Sequence, residues 1–380
     1  MNKIGLLGCG QLGKKFNSLL VKQGITLEAV ADNNKVGECF DEKKVIDVTT
    51  LFQKYINKDL DMIVIAIMSD RERTEVAIQL LDLGIDANNI FFVPEWINVF
   101  PEEEISDVKK ELIPMKEMKP TLNWLDIPVV DYCNLNCKGC WMACNLVEKG
   151  TAGDIERYES DMKRLTKLYG NIEEIHFMGG EPLADEQRLK RCIEVAHECF
   201  PRAALFITTN GLLIEQLSDE IWDFLKKNDV MIAISYYPIL SDKIYNITKL
   251  TYDHNVKLYI SEKKEKFLKR FSWDVGDVEE ARKDCPNKHA HYLYNGRIYV
   301  CGFPITLERL NQIVDIPWYR KDVGYDIYDK LDGWDITSAL NRPYEYCEHC
   351  CANMEEIDWK SVGKNIDISD WFIQGKCCRE

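Results

Sequence analysis

The chain has 380 residues, a length that predicts two or three domains. Hydrophobic residues make up 46% and charged residues 29% of it, a composition typical of a globular protein with a sizeable core. The net charge of -15 opposes binding to a nucleic-acid backbone, so nucleic acid is not expected as a partner. The longest apolar run, Met62 to Met68, is too short to cross a bilayer, and we expect a cytoplasmic protein with no membrane partner.

Residues 1–95 alternate strand and helix signals, which predicts a small Rossmann-like parallel sheet. A GxGxxG sequence (Gly8, Gly10 and Gly13) follows the first strand and opens an amphipathic helix, and Asp32 ends the second strand. In this context the helix N-terminus is expected to face a phosphate, and Asp32 a ribose hydroxyl. Three interpretations stay open for the nucleotide site: a scaffold without ligand, NAD-linked redox chemistry, and binding of a nucleotide-activated substrate.

The remaining chain divides into three segments. Residues 96–121 contain prolines and no clear period, and we interpret them as a linker with one short helix. Residues 122–280 return to strand–helix alternation and predict a partial (β/α)6 barrel of the TIM type, with reactive groups at the carboxyl ends of the strands. Residues 281–380 are expected to form a small C-terminal α+β domain rich in cysteine, with a β-hairpin around Asn295-Gly296. The predicted fold class is α/β.

The first barrel strand is followed by Cys133, Cys137 and Cys140 at the spacing C-x3-C-x2-C. The chain has fifteen cysteines, and in a reducing compartment this number favours metal ligation over disulfides. Three thiolates can hold three irons of a four-iron cluster and leave the fourth iron open to a small molecule. A structural zinc site is the alternative.

Further segments end the next barrel strands: Gly179-Gly180-Glu181-Pro182, Thr208 to Gly211, and Ser235-Tyr236. With the cysteine motif they resemble the core of the radical S-adenosylmethionine (SAM) enzymes, over residues 123 to about 280. The resemblance implies a 4Fe-4S cluster on the three cysteines and a SAM molecule on its open iron. It also implies that the residues contacting SAM are Gly179, Gly180, Glu181, Asn210 and Ser235.

The resemblance also implies the chemistry. An electron from a flavodoxin- or ferredoxin-type donor would pass through the cluster and cleave SAM to a 5′-deoxyadenosyl radical. That radical would abstract hydrogen from a small-molecule substrate. One departure from the family is Gly139, where many members have an aromatic residue that touches adenine. Trp141 is expected to compensate for it.

A second group of cysteines lies near the hairpin and beyond it: Cys285, Cys301, Cys347 and Cys350. Their order resembles the Twitch domain, the shortened form of the SPASM domain, and implies one auxiliary 4Fe-4S cluster ligated at all four irons. A four-cysteine zinc site is the alternative. Cys351, Cys377 and Cys378 are left without an assigned role by this pattern.

The leading hypothesis is a radical SAM oxidoreductase that dehydrogenates a sugar-like or nucleotide-linked metabolite and passes an electron to the auxiliary cluster. A radical epimerase is the first alternative, with Cys144 or Cys351 as the catalytic hydrogen donor. A peptide-modifying maturase ranks lower, because no peptide-binding winged-helix segment is evident. The non-enzyme alternative is a zinc-bound nucleotide-sensing module.

Overall fold

The computed structural model describes residues 3–283, 285–321, 323–350, 355–363 and 365–373. Contacts divide the chain into two compact units. Residues 1–121 and 168–170 form the first unit, and residues 122–167 and 171–380 form the second. The predicted barrel and the predicted C-terminal domain therefore belong to one unit.

The first unit is built on a five-stranded sheet in the order β2-β1-β5-β6-β7. The strands of the unit are β1 (Ile4–Leu7), β2 (Ala29–Ala31), β3 (Cys39–Phe40), β4 (Lys43–Lys44), β5 (Met62–Ile65), β6 (Ile90–Phe92) and β7 (Ile113–Pro114). Its helices are α1 (Gln11–Lys22), α2 (Val48–Ile56) and α3 (Asp70–Asp82). The first four sheet strands are parallel, and β1 and β5 are fully buried, as expected for parallel strands covered on both faces. β3 and β4 form a separate two-stranded hairpin.

Residues 96–121, interpreted above as a linker, instead belong to the first unit. β7 pairs antiparallel with β6, and Ile97, Ile105, Val108 and Leu112 are buried in the core of this unit. These apolar residues lie on loops, a turn and a short 3-10 helix, so their spacing follows neither the helical nor the strand period.

β8 (Thr121–Val130) leads into the second unit. Its further strands are β9 (Asn171–Gly179), β10 (Ala204–Thr209), β11 (Met231–Ile234), β12 (Leu258–Ile260), β13 (Lys266–Leu268), β14 (Phe271–Ser272), β15 (His291–Tyr294), β16 (Arg297–Tyr299), β17 (Tyr325–Asp326), β18 (Glu356–Asp358) and β19 (Phe372–Ile373). Its helices are α4 (Ile155–Leu168), α5 (Glu186–Cys199), α6 (Asp219–Lys227), α7 (Ile244–Asp253), α8 (Val278–Lys283), α9 (Phe303–Leu310) and α10 (Gly333–Asn341). An α/β fold with parallel sheets is thus confirmed.

The main sheet of the second unit has the order β12-β11-β10-β9-β8-β15-β16-β17. β12 to β9 are linked by parallel pairing, and β15 runs parallel to β8 on its other side. The structure therefore differs from the predicted six-stranded barrel. Five barrel strands follow one another in sequence, and the predicted hairpin, β15 and β16, extends the same sheet beyond β8. After β12 the chain forms β13 and β14, which pair with β18 and β19 near the end of the described chain.

No helix in the described ranges is both long and apolar enough to span a membrane.

Candidate active site

A cavity of about 440 Å³ lies at the carboxyl ends of the barrel strands. It is lined by Cys133, Cys137 and Cys140 after β8, by Gly179 and Gly180 after β9, and by Asn210 and Ser235 after β10 and β11. Carboxyl ends of neighbouring parallel strands meet at one edge of a sheet, which is why segments about a hundred residues apart converge here. Seven of the eight residues predicted for the SAM site are thus brought to one cavity.

The cysteine loop, residues 133–140, contains several tight turns. Asn136 and Gly139 have φ angles of +48° and +59°, in the left-handed region. The Cys140 backbone N–H donates to the Cys137 carbonyl at 3.2 Å, and the Ala143 N–H donates to the Cys140 carbonyl at 2.8 Å. These turns reverse the chain repeatedly, so three cysteines close in sequence can face the same cavity.

Each of the three cysteine sulfurs accepts a hydrogen bond. Asn210 Nδ2 donates to Cys133 Sγ at 3.6 Å, and Trp359 Nε1 donates to Cys137 Sγ at 3.2 Å. The thiol of Cys144 donates to Cys140 and is the main reason why the pKa of Cys140 falls to about 6. Hydrogen bonds to ligand sulfurs are typical of iron–sulfur sites, where they adjust the charge on the cluster.

Burial raises the pKa of Cys133 to about 12 and raises the pKa of Cys137 further. Thiolates in this cavity therefore need a compensating positive charge, which iron would supply if bound. Within the described ranges, no group of three or more His, Cys, Asp or Glu side chains is arranged to hold a single metal ion. A cluster takes one thiolate per iron, so its ligands need not converge on one point. The three cysteines fit a 4Fe-4S cluster in donor type, number and environment.

Glu181 does not line the cavity, contrary to the expectation that it contacts SAM. Its side chain is fully buried, and burial raises its pKa to about 7. The carboxylate accepts hydrogen bonds from the Thr209 hydroxyl at 2.6 Å and the Asn210 backbone N–H at 2.9 Å. Glu181 therefore fixes the end of β10 against the end of β9, and it acts on the cavity by positioning Asn210.

Gly180 lies where the end of β9 crosses the chain after β8. Its N–H donates to the Val130 carbonyl at 2.7 Å. A Cβ atom at this position would lie 1.8 Å from the Tyr132 carbonyl oxygen, so no larger residue fits without a backbone shift. The glycine thus permits the close approach between the cysteine loop and the segment predicted to bind SAM.

Replacing Gly180 by alanine is expected to lower the SAM affinity by at least about tenfold and to destabilise the fold by roughly 1–3 kcal/mol, because the added methyl forces two strand ends apart. Calorimetric titration with SAM and denaturant unfolding would measure the two effects. Gly153→Ala is the matched control, since the nearest atom to a Cβ there is 3.9 Å away. Equal SAM binding by the Gly180→Ala variant and wild type would contradict the assignment.

The reason for glycine at position 139 is also steric. A Cβ atom there would lie 2.7 Å from Ile357 Cδ1 and 2.8 Å from the Asp370 carbonyl oxygen. The C-terminal segment thus occupies the space next to Gly139. Trp141, expected to compensate, does line the cavity, together with Tyr237 and Phe267.

The C-terminal segment covers the cysteine loop through several hydrogen bonds that local sequence patterns do not indicate. Ser361 Oγ donates to the Leu135 carbonyl at 2.6 Å, and Trp371 Nε1 donates to the Cys140 carbonyl at 2.7 Å. Arg309, in α9, also supports the loop: it donates to the Met142 carbonyl at 2.7 Å and pairs with the buried carboxylate of Asp131.

Loss of the Trp359 indole N–H is expected to make the reduction potential of the SAM-site cluster more negative, by on the order of tens of millivolts. The N–H bond to Cys137 stabilises the reduced, more negatively charged form, so Trp359→Phe removes that preference. The readout is a potentiometric titration of the electron paramagnetic resonance signal that changes on addition of SAM. Trp222→Phe, in α6, serves as the control. An unchanged potential in Trp359→Phe would show that this hydrogen bond does not act on the cluster.

Cys144 lies on the cavity wall, and its buried Sγ is 3.8 Å from the Gly179 carbonyl oxygen. Its pKa is raised well above the usual value, first because its thiol donates to Cys140. The role of Cys144 as a hydrogen donor to substrate stays a prediction. Cys351, the other proposed donor, lies outside the described residues, as do Cys377 and Cys378.

The four cysteines of the second group influence one another electrostatically. The pKa of Cys350 is raised first by burial and then by the charges of Cys301, Cys285 and Cys347. Burial also raises the pKa of Cys301 to about 12, and the Tyr344 hydroxyl lies 3.1 Å from its Sγ. The structure therefore gathers four thiols that lie up to sixty-five residues apart in the sequence. Their ligation of an auxiliary cluster stays a prediction.

The first unit has its own cavity, of about 580 Å³, lined by Gly8, Gly10 and Asp32. The Asp32 carboxylate accepts hydrogen bonds from the backbone N–H groups of Cys9 at 3.1 Å and Asn34 at 3.0 Å. Gly13 is not on the wall. A Cβ atom at Gly13 would lie 2.1 Å from the Gly8 carbonyl oxygen, so this glycine allows α1 to pack against the turn after β1.

Comparison with known proteins points to the same central region. Residues 127–250 match the model of the 4Fe-4S single cluster domain family. A GTP 3′,8-cyclase from Geobacter sulfurreducens is 36% identical over 102 residues, which are 26% of this chain and 30% of the relative. A GTP 3′,8-cyclase from Clostridium botulinum is 30% identical over 131 residues, 34% of this chain and 39% of the relative. The chain thus spans about a third of the length of these curated relatives.

Two solved structures are similar over part of the chain. One is anSMEcpe with bound AdoMet, with a TM-score of 0.31, 22% identity, and coverage of 37% of this chain and 43% of that one. The other is BtrN in complex with AdoMet and 2-DOIA, with a TM-score of 0.37, 15% identity, and coverage of 61% and 94%. Likeness at this level carries no inference about activity. The cysteine loop, the glycine segment and the family match over residues 127–250 together support a radical SAM enzyme.

Proposed function

We propose that this protein is a radical SAM oxidoreductase that dehydrogenates a sugar-like or nucleotide-linked metabolite. The observation that carries the proposal is the single cavity lined by the three hydrogen-bonded cysteines and by the glycine, Asn210 and Ser235 segments. Cys133, Cys137 and Cys140 would hold a 4Fe-4S cluster, and Gly179, Gly180, Asn210 and Ser235 would contact SAM. When bound, these groups supply a 5′-deoxyadenosyl radical that removes a hydrogen atom from the substrate.

The position of Arg270 supports an oxidation. Arg270 lines the same cavity, and its pKa responds to the charges of Cys350, Cys285 and Cys301. The cavity therefore borders the second cysteine group. Dehydrogenation of an alcohol requires the loss of a second electron after hydrogen abstraction, and an auxiliary cluster on these four cysteines would accept it. A flavodoxin- or ferredoxin-type donor would supply the electron that starts each cycle.

The test is anaerobic turnover of the iron-loaded protein with SAM, a reductant, and a panel of nucleotide sugars and nucleoside triphosphates in deuterated water. The expected result is 5′-deoxyadenosine together with a product lighter by two hydrogens. A product with as many hydrogen atoms as the substrate, one of them a carbon-bound deuterium from the solvent, would support epimerisation instead of dehydrogenation. Absence of 5′-deoxyadenosine under every condition would refute the radical SAM assignment itself.

A second candidate is rearrangement of a purine nucleotide, which the identity to GTP 3′,8-cyclases favours. GTP belongs in the substrate panel for this reason. Consumption of GTP to an isomeric product would support this candidate over dehydrogenation.

For the cavity of the first unit we propose a nucleotide ligand, with Gly8 and Gly10 near a phosphate and Asp32 near a ribose. Calorimetric titration of the full chain with NAD and with a nucleotide sugar would distinguish a redox cofactor from an activated substrate. Asp32→Asn is expected to weaken binding by about tenfold, whereas Asp59→Asn, on the exposed surface, is expected to leave it unchanged.

A further inference from the structure

One wall of the active-site cavity is rich in positive charge. Lys264, Lys266 and Arg270 all line it, from the segment that connects β12 to β14. The protein as a whole carries a net charge of -15, so the charge of this cavity wall is opposite in sign to that of the whole molecule. We call Lys264, Lys266 and Arg270 the cationic wall.

The three cations have different surroundings. Lys266 pairs with Glu356 at 2.5 Å, and both side chains are more than half exposed, so this pair is largely solvated. The two neighbouring lysines outside the cavity lining are also paired, Lys263 with Glu265 at 3.1 Å and Lys269 with Glu355 at 2.7 Å. Lys264, by contrast, has no carboxylate within ion-pairing distance among the residues that the structure describes.

Lys264 is held beside another cation. Surrounding protein atoms and then the charge of Arg270 lower the pKa of Lys264. The backbone fixes this arrangement, because the Lys264 N–H donates to the Tyr236 carbonyl at 2.7 Å, next to Ser235 at the end of β11. The side chain of Lys264 is exposed at this wall, so it can reach an anion that enters the cavity, and an anion bound beside two like charges would relieve their repulsion.

The thiols of the second cysteine group do not compensate the positive charge of Lys264. Their charges act on Arg270, where Cys350, Cys285 and Cys301 all contribute. None of them contributes to the pKa of Lys264, for which Arg270 is the only charged cause. Thiolates near Arg270 would thus leave Lys264 uncompensated.

We propose that Lys264, together with Arg270, binds an oxyanion of the substrate, so that the metabolite acted on in this cavity carries a phosphate or a carboxylate. This inference rests on the proposed function, since it assigns a substrate class to the same cavity. The side chain of Lys264 selects and orients the substrate, and the reacting carbon lies elsewhere on the molecule, toward Gly179 and Gly180. A neutral sugar would offer Lys264 no such anion.

The experiment uses the full-length, iron-loaded protein under anaerobic conditions with saturating SAM, so that the carboxylate of SAM already occupies its own site. Inorganic pyrophosphate and malonate are titrated separately by calorimetry, as probes of a phosphate and a carboxylate site. The test variant is Lys264→Gln. The matched control is Lys263→Gln, which removes the adjacent lysine, exposed like Lys264 but outside the cavity lining.

Wild type is expected to bind one of the two anions, and the stronger of the two identifies the group. Lys264→Gln is expected to weaken that binding by about tenfold or more, whereas Lys263→Gln changes it by less than about twofold. Absence of binding by wild type would overturn the inference, as would equal weakening by both variants. A loss of SAM affinity in Lys264→Gln with unchanged anion affinity would also overturn it, because Lys264 would then serve the SAM carboxylate.

Release of 5′-deoxyadenosine from SAM without substrate separates this inference from the proposed function. Lys264→Gln is expected to retain that uncoupled reaction. If wild type releases 5′-deoxyadenosine but binds neither anion, the proposed radical chemistry stands and the substrate assignment fails. Far-ultraviolet circular dichroism of both variants verifies that each has folded.

Discussion

Replacement of Cys140 by serine is expected to remove the SAM-site cluster and to reduce 5′-deoxyadenosine formation by at least about a hundredfold. A 4Fe-4S cluster needs three protein thiolates at this site to leave one iron open, and the three sulfurs line a single cavity here. Loss of one ligand costs more than loss of a supporting hydrogen bond, which already weakens metal sites by about 10–100-fold. Iron analysis and chromatography of the nucleoside product would measure both effects.

Cys199→Ser is the control for this substitution. Cys199 lies at the end of α5, is only partly buried, and does not line the active-site cavity. It should leave iron content and 5′-deoxyadenosine formation at the wild-type level. Full activity in Cys140→Ser would contradict the assignment of the cysteine loop as the site of SAM cleavage.

Cys350→Ala is expected to remove the proposed auxiliary cluster and to leave the SAM-site cluster in place. The thiol of Cys350 feels the charges of the other three cysteines in its group, so its removal should release the proposed auxiliary cluster. The iron content should fall from about eight to about four per chain, by the composition of two four-iron clusters. Release of 5′-deoxyadenosine should continue, whereas the oxidised product should fall by at least about tenfold, because the second electron has lost its acceptor.

The informative comparison is the ratio of oxidised product to 5′-deoxyadenosine in Cys350→Ala and in wild type. A falling ratio supports electron transfer through the second cysteine group. An unchanged ratio would show that this group does not accept the electron. If zinc rather than iron is found in wild type and absent from Cys350→Ala, the group is a structural zinc site instead.

Local spacing was sufficient to locate the cysteine loop and the strand ends around it. Cys133, Cys137 and Cys140 lie within eight residues, and Gly180 and Asn210 each directly follow a strand with a clear apolar pattern. The rule that carboxyl ends of parallel strands share one edge then places them together. The α/β class followed from the same alternation of strands and helices.

Contacts between segments far apart in the chain could not be predicted from the sequence. Trp359 lies 222 residues from the Cys137 sulfur to which it donates, and Arg309 lies 178 residues from Asp131. No local period marks either contact. The partners of Glu181 were unpredictable for a related reason, since the motif shows that it is near the site but not that its carboxylate turns inward to Thr209 and Asn210.

Gly139 shows how a local anomaly can reflect a distant contact. The sequence reveals only that an aromatic residue is missing before Cys140. The structure explains it, because Ile357 and the Asp370 carbonyl fill the space that a side chain would need. The course of the C-terminal segment therefore accounts for the glycine at position 139.

The cover formed by Trp359, Ser361 and Trp371 has a consequence for biosynthesis. The cysteine loop leaves the ribosome 222 residues before Trp359, so iron delivery can begin while the loop is still open. Trp359, Ser361 and Trp371 then cover the loop, so iron delivered after that point has to pass this cover. We expect iron to enter the loop more readily before the cover forms than after it.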